Sequence, residues 1–152
     1  MNSYIDVKIM ALSPLCEQAA YPPEYATEGS AGIDLRACLY ESIRLEKSER
    51  IRVPTGIAVQ MPPAVVGLVF ARSGLAWKHG IGLPNGVGVI DSDYTGEIQV
   101  LLTNFSNDAY LIHPQDRIAQ MVFMPVYTAR WLLVSHFAST ERGEGGFGST
   151  GR

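Results

Sequence analysis

Hydrophobic and polar residues alternate in short stretches along most of the chain. Residues 4–10 and 33–39 place apolar side chains at every second position, which is typical of a β-strand with one buried face. Residues 65–71 are almost continuously apolar, which predicts a strand buried on both faces. Many short strands separated by turn signals indicate an all-β fold, which could be a sandwich, a jelly roll or a distorted barrel. Further strands are predicted at residues 51–53, 57–61, 98–105, 118–126 and 131–134.

Proline and glycine mark the interruptions of this pattern. Pro54-Thr55-Gly56 predicts a turn between two strands, and the three prolines within residues 14–30 predict an irregular connection. One short helix is predicted at residues 72–78, with Ser73 as its N-cap. The sequence shows no internal repeat and no linker, so we expect residues 1–152 to form a single domain.

Residues 86–96, GVGVIDSDYTG, are predicted to form a hairpin in which two strand arms close on a polar turn. Asp91 and Tyr94 would then be held on a rigid element, which a site that depends on accurate placement requires. The alternative is an ordinary β-turn that happens to carry an acid and an aromatic ring.

Composition and charge narrow the classes of function. Apolar residues make up 47% of the chain and charged residues 18%, which argues against disorder. We expect a cytoplasmic protein, because the N-terminus does not resemble a signal peptide and no apolar run is long enough to span a bilayer. Cys16 and Cys38 lack metal-ligand spacing and are expected to be reduced thiols. A net charge of −3 argues against general binding to nucleic acid duplexes, so local groups must hold any anionic ligand.

Several polar residues stand where the strand pattern leads to a turn or is interrupted. Arg72-Ser73-Gly74 could bind an anion, because the forked donors of arginine match phosphate oxygens, or it could be a solvated turn. Asp34 interrupts an apolar strand and is either solvent-facing or functional. Gln120 is a polar amide inside another apolar strand and either faces solvent or is buried with its amide hydrogen-bonded. Asn85 is most simply a turn former, although its amide could also read the edge of a base.

The C-terminal residues 142–152, RGEGGFGSTGR, carry five glycines. The simplest interpretation is a frayed terminus. A Walker-type phosphate loop is excluded, because Ser149 stands where that loop requires lysine. The functional interpretation is a lid, in which Phe147 would stack on a flat ligand and Arg142 would neutralise phosphate.

Taken together and in order, these stretches resemble the motifs of the trimeric dUTP pyrophosphatase (dUTPase) family. The likeness runs along almost the whole chain, and five ordered matches are far more specific than any one of them. The matching stretches are SAGIDLRA (30–37), ARSGLAWKHGI (71–81), NGVGVIDSDYTGEIQV (85–100), RIAQMVF (117–123) and RGEGGFGSTG (142–151).

The resemblance implies a single-domain, distorted jelly-roll-like β-barrel that assembles into a homotrimer with shared active sites. Residues 1–141 would form the body, and the Gly-rich tail 142–152 would be exchanged between subunits. The implied activity is hydrolysis of dUTP to dUMP and pyrophosphate with Mg²⁺, without a nucleic acid or membrane partner. This reaction keeps uracil out of DNA and supplies dUMP for thymidylate synthesis.

The resemblance also implies a role for each candidate residue. Asp91 would be the base that activates water, and Tyr94 the platform under deoxyribose. Asp34 would hold water molecules around Mg²⁺, while Arg142 and Phe147 would belong to the closing tail. The phosphate grip would comprise Arg72, Ser73, Gly74 and Gln120, and the substrate contacts around uracil would comprise Asn85, Val89, Ile90 and Gln99.

The sequence departs from the family pattern at two positions that carry no proposed chemistry. Ala71 stands where the family usually has proline, and Pro84 stands where a small residue is more usual before Asn85. Two rival functions remain open. A dCTP deaminase of the same fold would need a catalytic glutamate where this chain has Leu101, and a non-catalytic dUTP-binding β-module would not need Asp91.

Overall fold

Ten β-strands and two short α-helices make up the regular structure of residues 4–17 and 21–146, the parts of the chain that the computed structural model describes. The all-β prediction is therefore confirmed. The helices are α1 (Pro14–Glu17) and α2 (Ser73–His79). The strands are β1 (Lys8–Ala11), β2 (Ile33–Arg36), β3 (Ile43–Leu45), β4 (Arg50–Gln60), β5 (Val65–Phe70), β6 (Ile81–Gly82), β7 (Gly88–Ile90), β8 (Glu97–Asn104), β9 (Tyr110–Ile112) and β10 (Arg117–Pro125).

The strands form two four-stranded sheets and one two-stranded sheet. The first sheet has the order β1-β4-β8-β6, the second has the order β2-β10-β5-β7, and β3 pairs with β9. The strand pairs are antiparallel. One cluster of buried apolar side chains joins all three sheets, including Leu45, Leu102 and Met121. The result is a jelly-roll-like body in which each large sheet buries one face.

The predicted turn at Pro54-Thr55-Gly56 is wrong, because these residues lie inside the 11-residue strand β4. Pro54 pairs with Gln99 and Ala58 pairs with Glu97, so the ladder carries a β-bulge between them. Gly56 has a φ of 68°, which glycine adopts without the steric penalty of a side chain. The turn residues therefore bend the strand without ending it.

The predicted hairpin at residues 86–96 is also wrong in its pairing. β7 pairs with β5, whereas β8 pairs with β4 and β6, so the two arms belong to different sheets. The segment between Ile90 and Glu97 therefore connects the sheets. The β-branched pattern of the arms indicates strands but does not say which neighbours they join.

Three smaller predictions also need correction. β5 is buried on one face and only half-buried on the other. The helix predicted at 72–78 exists, but Arg72 is its N-cap and makes no side-chain cap bond, whereas Ser73 is the first helical residue. Residues 131–134 form no strand, because they lie in the exposed segment 124–144 and no strand in the described part of this chain pairs with them.

Both helices in the described parts of the chain are only a few residues long, far below the length of a membrane span.

Candidate functional site

A cleft of about 450 Å³ opens where β2, β5 and β10 meet the start of α2. Five of the residues that the sequence predicts at a substrate or metal site line this cleft: Asp34, Arg72, Ser73, Gly74 and Gln120. The other lining residues are Ala26, Ser30, Ala31, Gly32, Phe70, Arg117 and Val122.

The strand order β2-β10-β5 explains why side chains so distant in sequence meet here. Gln120 lies opposite Asp34 in one neighbouring strand and opposite Phe70 in the other. Directly opposed residues project to the same face of a sheet, so the three form a row on the face turned away from the core. The Gln120 Nε2 donates to the Ala71 carbonyl at 3.1 Å, which orients the amide and uses one of its two N–H groups.

Two arginines flank the carboxylate of Asp34. The Arg72 Nε lies 2.8 Å from Asp34 Oδ1, and the Arg117 Nη1 lies 3.3 Å from Asp34 Oδ2. Two cations and one anion leave the side chains of the cleft with a net charge of +1. A half-buried site with this excess of positive charge suits a polyanion such as a chain of phosphates.

Arg117 is the residue of this cleft that sequence reasoning missed. It opens the stretch RIAQMVF, and a charged residue at the start of a strand is usually solvated. Arg117 lies three residues before Gln120, and this proximity in sequence could have marked it as a candidate. Only the pairing of β10 with β2, however, brings Arg117 to Asp34.

The first turn of α2 supplies the polar backbone of the cleft. The N–H groups of Ser73 and Gly74 have no intrahelical acceptor, and a Cβ on Gly74 would meet no heavy atom within 4 Å. A ligand can therefore approach this backbone closely. At the other end of α2, the His79 and Tyr110 rings lie 4.9 Å apart and hold the helix against β9. Burial, together with the negative charge of Asp116, raises the pKa of the Tyr110 phenol.

The donor set of the cleft fits a water-mediated Mg²⁺ better than a directly bound ion. Within residues 4–17 and 21–146, no group of three or more His, Cys, Asp or Glu side chains could hold a metal. A carboxylate offers about four lone-pair sites, and the two arginine contacts of Asp34 use two of them. Mg²⁺ usually keeps several waters and binds through substrate phosphates with one or two carboxylates. Asp34 can accept hydrogen bonds from such waters.

Asp91 and Tyr94 lie on the exposed connection between β7 and β8. The Tyr94 N–H donates to the Asp91 carbonyl at 3.1 Å, and the Tyr94 hydroxyl donates to the Glu97 carbonyl at 2.9 Å. A Cβ on Gly96 would lie 2.6 Å from the Tyr94 hydroxyl oxygen. The Tyr94 ring therefore packs against Gly96, where any larger residue would clash with it. Asp91 and Tyr94 are thus carried on a braced turn, although not on the predicted hairpin.

The other residues predicted around uracil lie on β7, β8 and the turn before β7. Asn85 precedes Gly86, whose φ is 71° and whose N–H donates to the Leu83 carbonyl at 3.1 Å. Val89 is exposed and Ile90 is half-buried on β7. On β8, the Gln99 Nε2 donates to Glu97 Oε2 at 3.1 Å. Asn85 also lines a separate cleft of about 420 Å³ with Arg50, Ile51, Arg52, Pro84 and Leu101.

Within the described chain, the Asp91 turn and the arginine cleft are separated along strand β5. Ile90, the residue before Asp91, lies opposite Gly67 on β5, and Arg72 follows Gly67 by five positions. Phe70, the last residue of β5, also lines the cleft, and at about 3.3 Å per residue it lies about 10 Å along the strand from Gly67. One chain therefore presents the predicted site in two parts.

Of the two tail residues predicted to close the site, only Arg142 lies within the described residues, and it does not line the arginine cleft. Arg142 is exposed, and its Nε donates to the Gly145 carbonyl at 2.9 Å. Phe147 lies outside the described residues.

Comparison with known proteins places the whole chain among dUTPases. A family model described as dUTPase matches residues 18–151. The deoxyuridine 5'-triphosphate nucleotidohydrolases of Enterobacter sp. (strain 638) and Citrobacter koseri are each 50% identical to the chain over 153 residues, covering 100% of this chain and 99% of the relative.

Solved structures agree with the sequence comparisons. The dUTPase of Staphylococcus bacteriophage 80alpha with dUPNHPP superposes with a TM-score of 0.80 at 28% identity, covering 97% of this chain and 99% of that chain. A mutant dUTPase from phage phi11 of S. aureus, whose structure describes the coordination of a structural Mg(II) ion, gives a TM-score of 0.77 at 25% identity, with coverage of 88% and 99%. In sequence and in fold, over nearly its full length, this chain belongs to the dUTPase family.

Proposed function

We propose that the chain hydrolyses dUTP to dUMP and pyrophosphate by attack of water on the α-phosphorus. The observation that carries this proposal is the cleft in which Arg72 and Arg117 flank Asp34, in a member of the dUTPase family. In the cell, the reaction would keep uracil out of DNA and supply dUMP for thymidylate synthesis. We propose a cytoplasmic location, since the substrate is a nucleotide and the chain carries two thiols.

Release of pyrophosphate from dUTP, measured with and without Mg²⁺, tests this function directly. We expect turnover of dUTP that Mg²⁺ increases, with little turnover of dCTP, dTTP or UTP. Ammonia release from dCTP, or dUTP binding without turnover, would contradict the proposal. The two rival functions gain no support from the comparisons, because the relatives named above are dUTP hydrolases.

The arginine cleft is proposed to bind the phosphates and stabilise the charge that develops on the leaving pyrophosphate. Phosphoryl transfer depends mainly on alignment and on counter-charge at the phosphate oxygens. Arg72 and Arg117 supply the cations, Ser73 and Gly74 supply backbone N–H groups, and Gln120 supplies an amide. Asp34 holds both guanidinium groups in place before substrate arrives.

Mg²⁺ is proposed to neutralise charge on the triphosphate when it is bound, with Asp34 accepting hydrogen bonds from its waters. The net positive charge of the cleft side chains disfavours a bare cation, so Asp34 would hold the hydrated ion there only with the nucleotide phosphates present. The acceptor sites of the Asp34 carboxylate that its two arginine contacts leave unused support this role.

Asp91 is proposed to align the attacking water and take its proton. A carboxylate on a braced, exposed turn can enter the site of a neighbouring chain without rearranging its own backbone. The backbone around Val89 and Ile90, with Asn85 and Gln99, is proposed to contact the base and exclude cytosine and thymine. Tyr94 is proposed to lie beneath deoxyribose, where a ribose 2′-hydroxyl would clash.

A homotrimer with shared sites is proposed because, within one chain, about 10 Å of strand β5 lies between the level of Ile90 and the phosphate cleft next to Phe70. The exposed segment 124–144 gives independent support. Trp131, Leu133 and Phe137 are 86%, 98% and 89% exposed, which is unusual for large apolar side chains in a folded monomer.

The same chain offers an apolar surface on which such a segment could be buried. A groove of about 560 Å³ beside β1 is lined by apolar side chains that include Ile9, Val65 and Phe123. We propose that the C-terminal segment crosses to a neighbouring subunit, and that residues 142–152 then close the site as a lid through Arg142 and Phe147.

Co-expression of two inactive variants tests the sharing of sites. The variant Asp91→Asn lacks the proposed base, and a chain that ends at Glu141 lacks the lid. A site with both parts intact can form only if Asp91 and the lid come from different subunits. We therefore expect mixed oligomers to hydrolyse dUTP well above the sum of the two separate proteins. Recovery no greater than that sum would contradict sharing, provided both variants are trimers by light scattering.

The substitution Tyr94→Ala tests the proposed sugar platform. We expect the ratio of kcat/KM for UTP to that for dUTP to rise by about 10-fold, because the wall that excludes the 2′-hydroxyl is lost. Tyr94→Phe keeps the ring and should keep discrimination, and Tyr40→Ala removes an exposed tyrosine elsewhere as a matched control. An unchanged ratio in a folded Tyr94→Ala protein would rule out this role.

A further inference from the structure

The two cysteines of the chain meet in space although they are far apart in sequence. The Cys16 thiol, on α1, donates to the Cys38 sulfur at 3.2 Å across a separation of 22 positions, and it also lies 3.3 Å from the Thr55 carbonyl. Both residues are thiols in the structure. A disulfide has a sulfur–sulfur distance of about 2.05 Å, so an approach of about 1 Å would join them.

The backbone on both sides of this pair is held by hydrogen bonds. The Cys38 N–H donates to the Pro54 carbonyl at 2.8 Å, and the Leu12 N–H, just before α1, donates to the Gly56 carbonyl at 2.7 Å. The Gln115 side chain also donates to the Leu15 carbonyl at 3.2 Å. The bulge in β4 therefore fixes the segments that carry the two sulfurs relative to each other.

Gly56 leaves the space in which the two sulfurs meet. A Cβ at this position would overlap the Cys16 sulfur and lie 2.6 Å from the Cys38 sulfur. Because its φ is 68°, a side chain would also be strained there. The same glycine that permits the bulge thus permits contact between the thiols.

The two sulfurs differ in their access to solvent. Cys16 is buried, with 6% of its surface exposed, whereas Cys38 is half-buried. A small oxidant in solution therefore reaches Cys38 first, with Cys16 already in contact behind it. This is the arrangement of a reactive thiol with a resolving thiol.

We propose that Cys16 and Cys38 form a reversible disulfide when the protein meets a peroxide. The Cys38 thiolate attacks one oxygen of hydrogen peroxide, which gives a sulfenic acid and releases hydroxide. The Cys16 sulfur then attacks the sulfenic sulfur, so that the S–S bond forms as the S–O bond breaks, and water leaves. In total, two thiols and one hydrogen peroxide give one disulfide and two waters, and a dithiol reductant reverses the change.

The disulfide would close a ring over residues 16–38, which includes the wall of the phosphate cleft from Ala26 to Asp34. A cross-link that closes a ring of this size restricts the unfolded chain and stabilises the folded one. We expect the Tm of the oxidised protein to rise by about 5–10 °C. This inference does not depend on the proposed reaction, since it concerns the thiols alone.

Peptide mapping of the full-length protein treated with hydrogen peroxide tests the proposal. Trypsin places Cys16 in peptide 9–36 and Cys38 in peptide 37–44, so a disulfide would link these two peptides under non-reducing conditions. We expect the linked pair within one chain, a higher Tm, and loss of both on reduction with dithiothreitol. Cys38 converted to sulfinic acid with Cys16 still a thiol, a disulfide between chains, or two unreacted thiols would each overturn the proposal.

The variants Cys16→Ser and Cys38→Ser distinguish the effects of the disulfide from the effects of oxidation at other residues. Either variant is sufficient for this test if the other fails to fold. In a folded Cys16→Ser or Cys38→Ser protein, we expect no linked peptide and no rise in Tm after peroxide. A rise in Tm that persists in either variant would show that oxidation of another residue is responsible.

Discussion

We expect the substitution Asp91→Asn to lower kcat for dUTP hydrolysis by about 10²- to 10⁴-fold, the usual contribution of a general base. The amide keeps the size and hydrogen-bonding reach of the carboxylate but cannot accept the proton of the attacking water. Affinity for a non-hydrolysable dUTP analogue should change by no more than about twofold, because Asp91 is proposed to act on water and not on the substrate. Single-turnover kinetics and calorimetry measure the two quantities separately.

Asp93 provides a matched control on the same turn. It is also an exposed carboxylate, two positions from Asp91, so Asp93→Asn changes the local charge by the same amount. We expect its kcat to stay close to that of the wild type. An equal fall in both variants would mean that the turn needs negative charge in general, and loss of analogue binding in Asp91→Asn would argue against the role of a base.

The substitution Arg72→Met is expected to lower kcat/KM for dUTP by about 10²- to 10³-fold, similar to the loss of one donor to a developing oxyanion. It removes a cation of the phosphate cleft and also takes away the closer of the two partners of Asp34. The net charge of the cleft side chains would fall from +1 to zero, so affinity for inorganic pyrophosphate should fall as well. Steady-state kinetics and pyrophosphate titration measure these effects.

Two further variants, Arg72→Lys and Arg44→Met, test whether the expected loss of kcat/KM comes from the guanidinium group of Arg72. Lysine keeps the charge but lacks the planar fork that donates to two oxygens, so we expect recovery of only part of the activity. Arg44 pairs with Glu46 on the exposed surface, away from the cleft, and its replacement should leave kcat/KM unchanged. Full activity in Arg72→Met would contradict the proposal that this cleft binds the phosphates of the substrate.

Local patterns predicted the strands better than they predicted the connections between them. Alternation at residues 33–39 and the apolar run at 65–71 each lead to a strand, β2 and β5. Pro54-Thr55-Gly56 looked like a turn because the same residue types suit a turn and a bulge. Residues 131–134 have strand composition, but none of the strands that the structure describes pairs with them, and composition cannot supply a partner.

The candidate site shows the same division. Asp34, Arg72 and Gln120 could be identified as candidates because each interrupts or ends an apolar strand, which is a local property of the sequence. Arg117 could not be identified in this way, because its contact with Asp34 spans 83 positions. The distance between Asp91 and Arg72 likewise depends on β7 pairing with β5 and not with β8.

The sequence by itself determined the all-β class, the strand-forming stretches and most of the residues that carry chemistry, since periodicity and residue type act over a few positions. The tertiary structure alone decided which of these residues meet. Strand pairing joins segments that are distant along the chain, and many pairings satisfy the same alternation. For this reason, the folded chain brings Asp34 to two arginines and two thiols to each other, and it leaves Asp91 separated by part of strand β5 from the cleft it is proposed to serve.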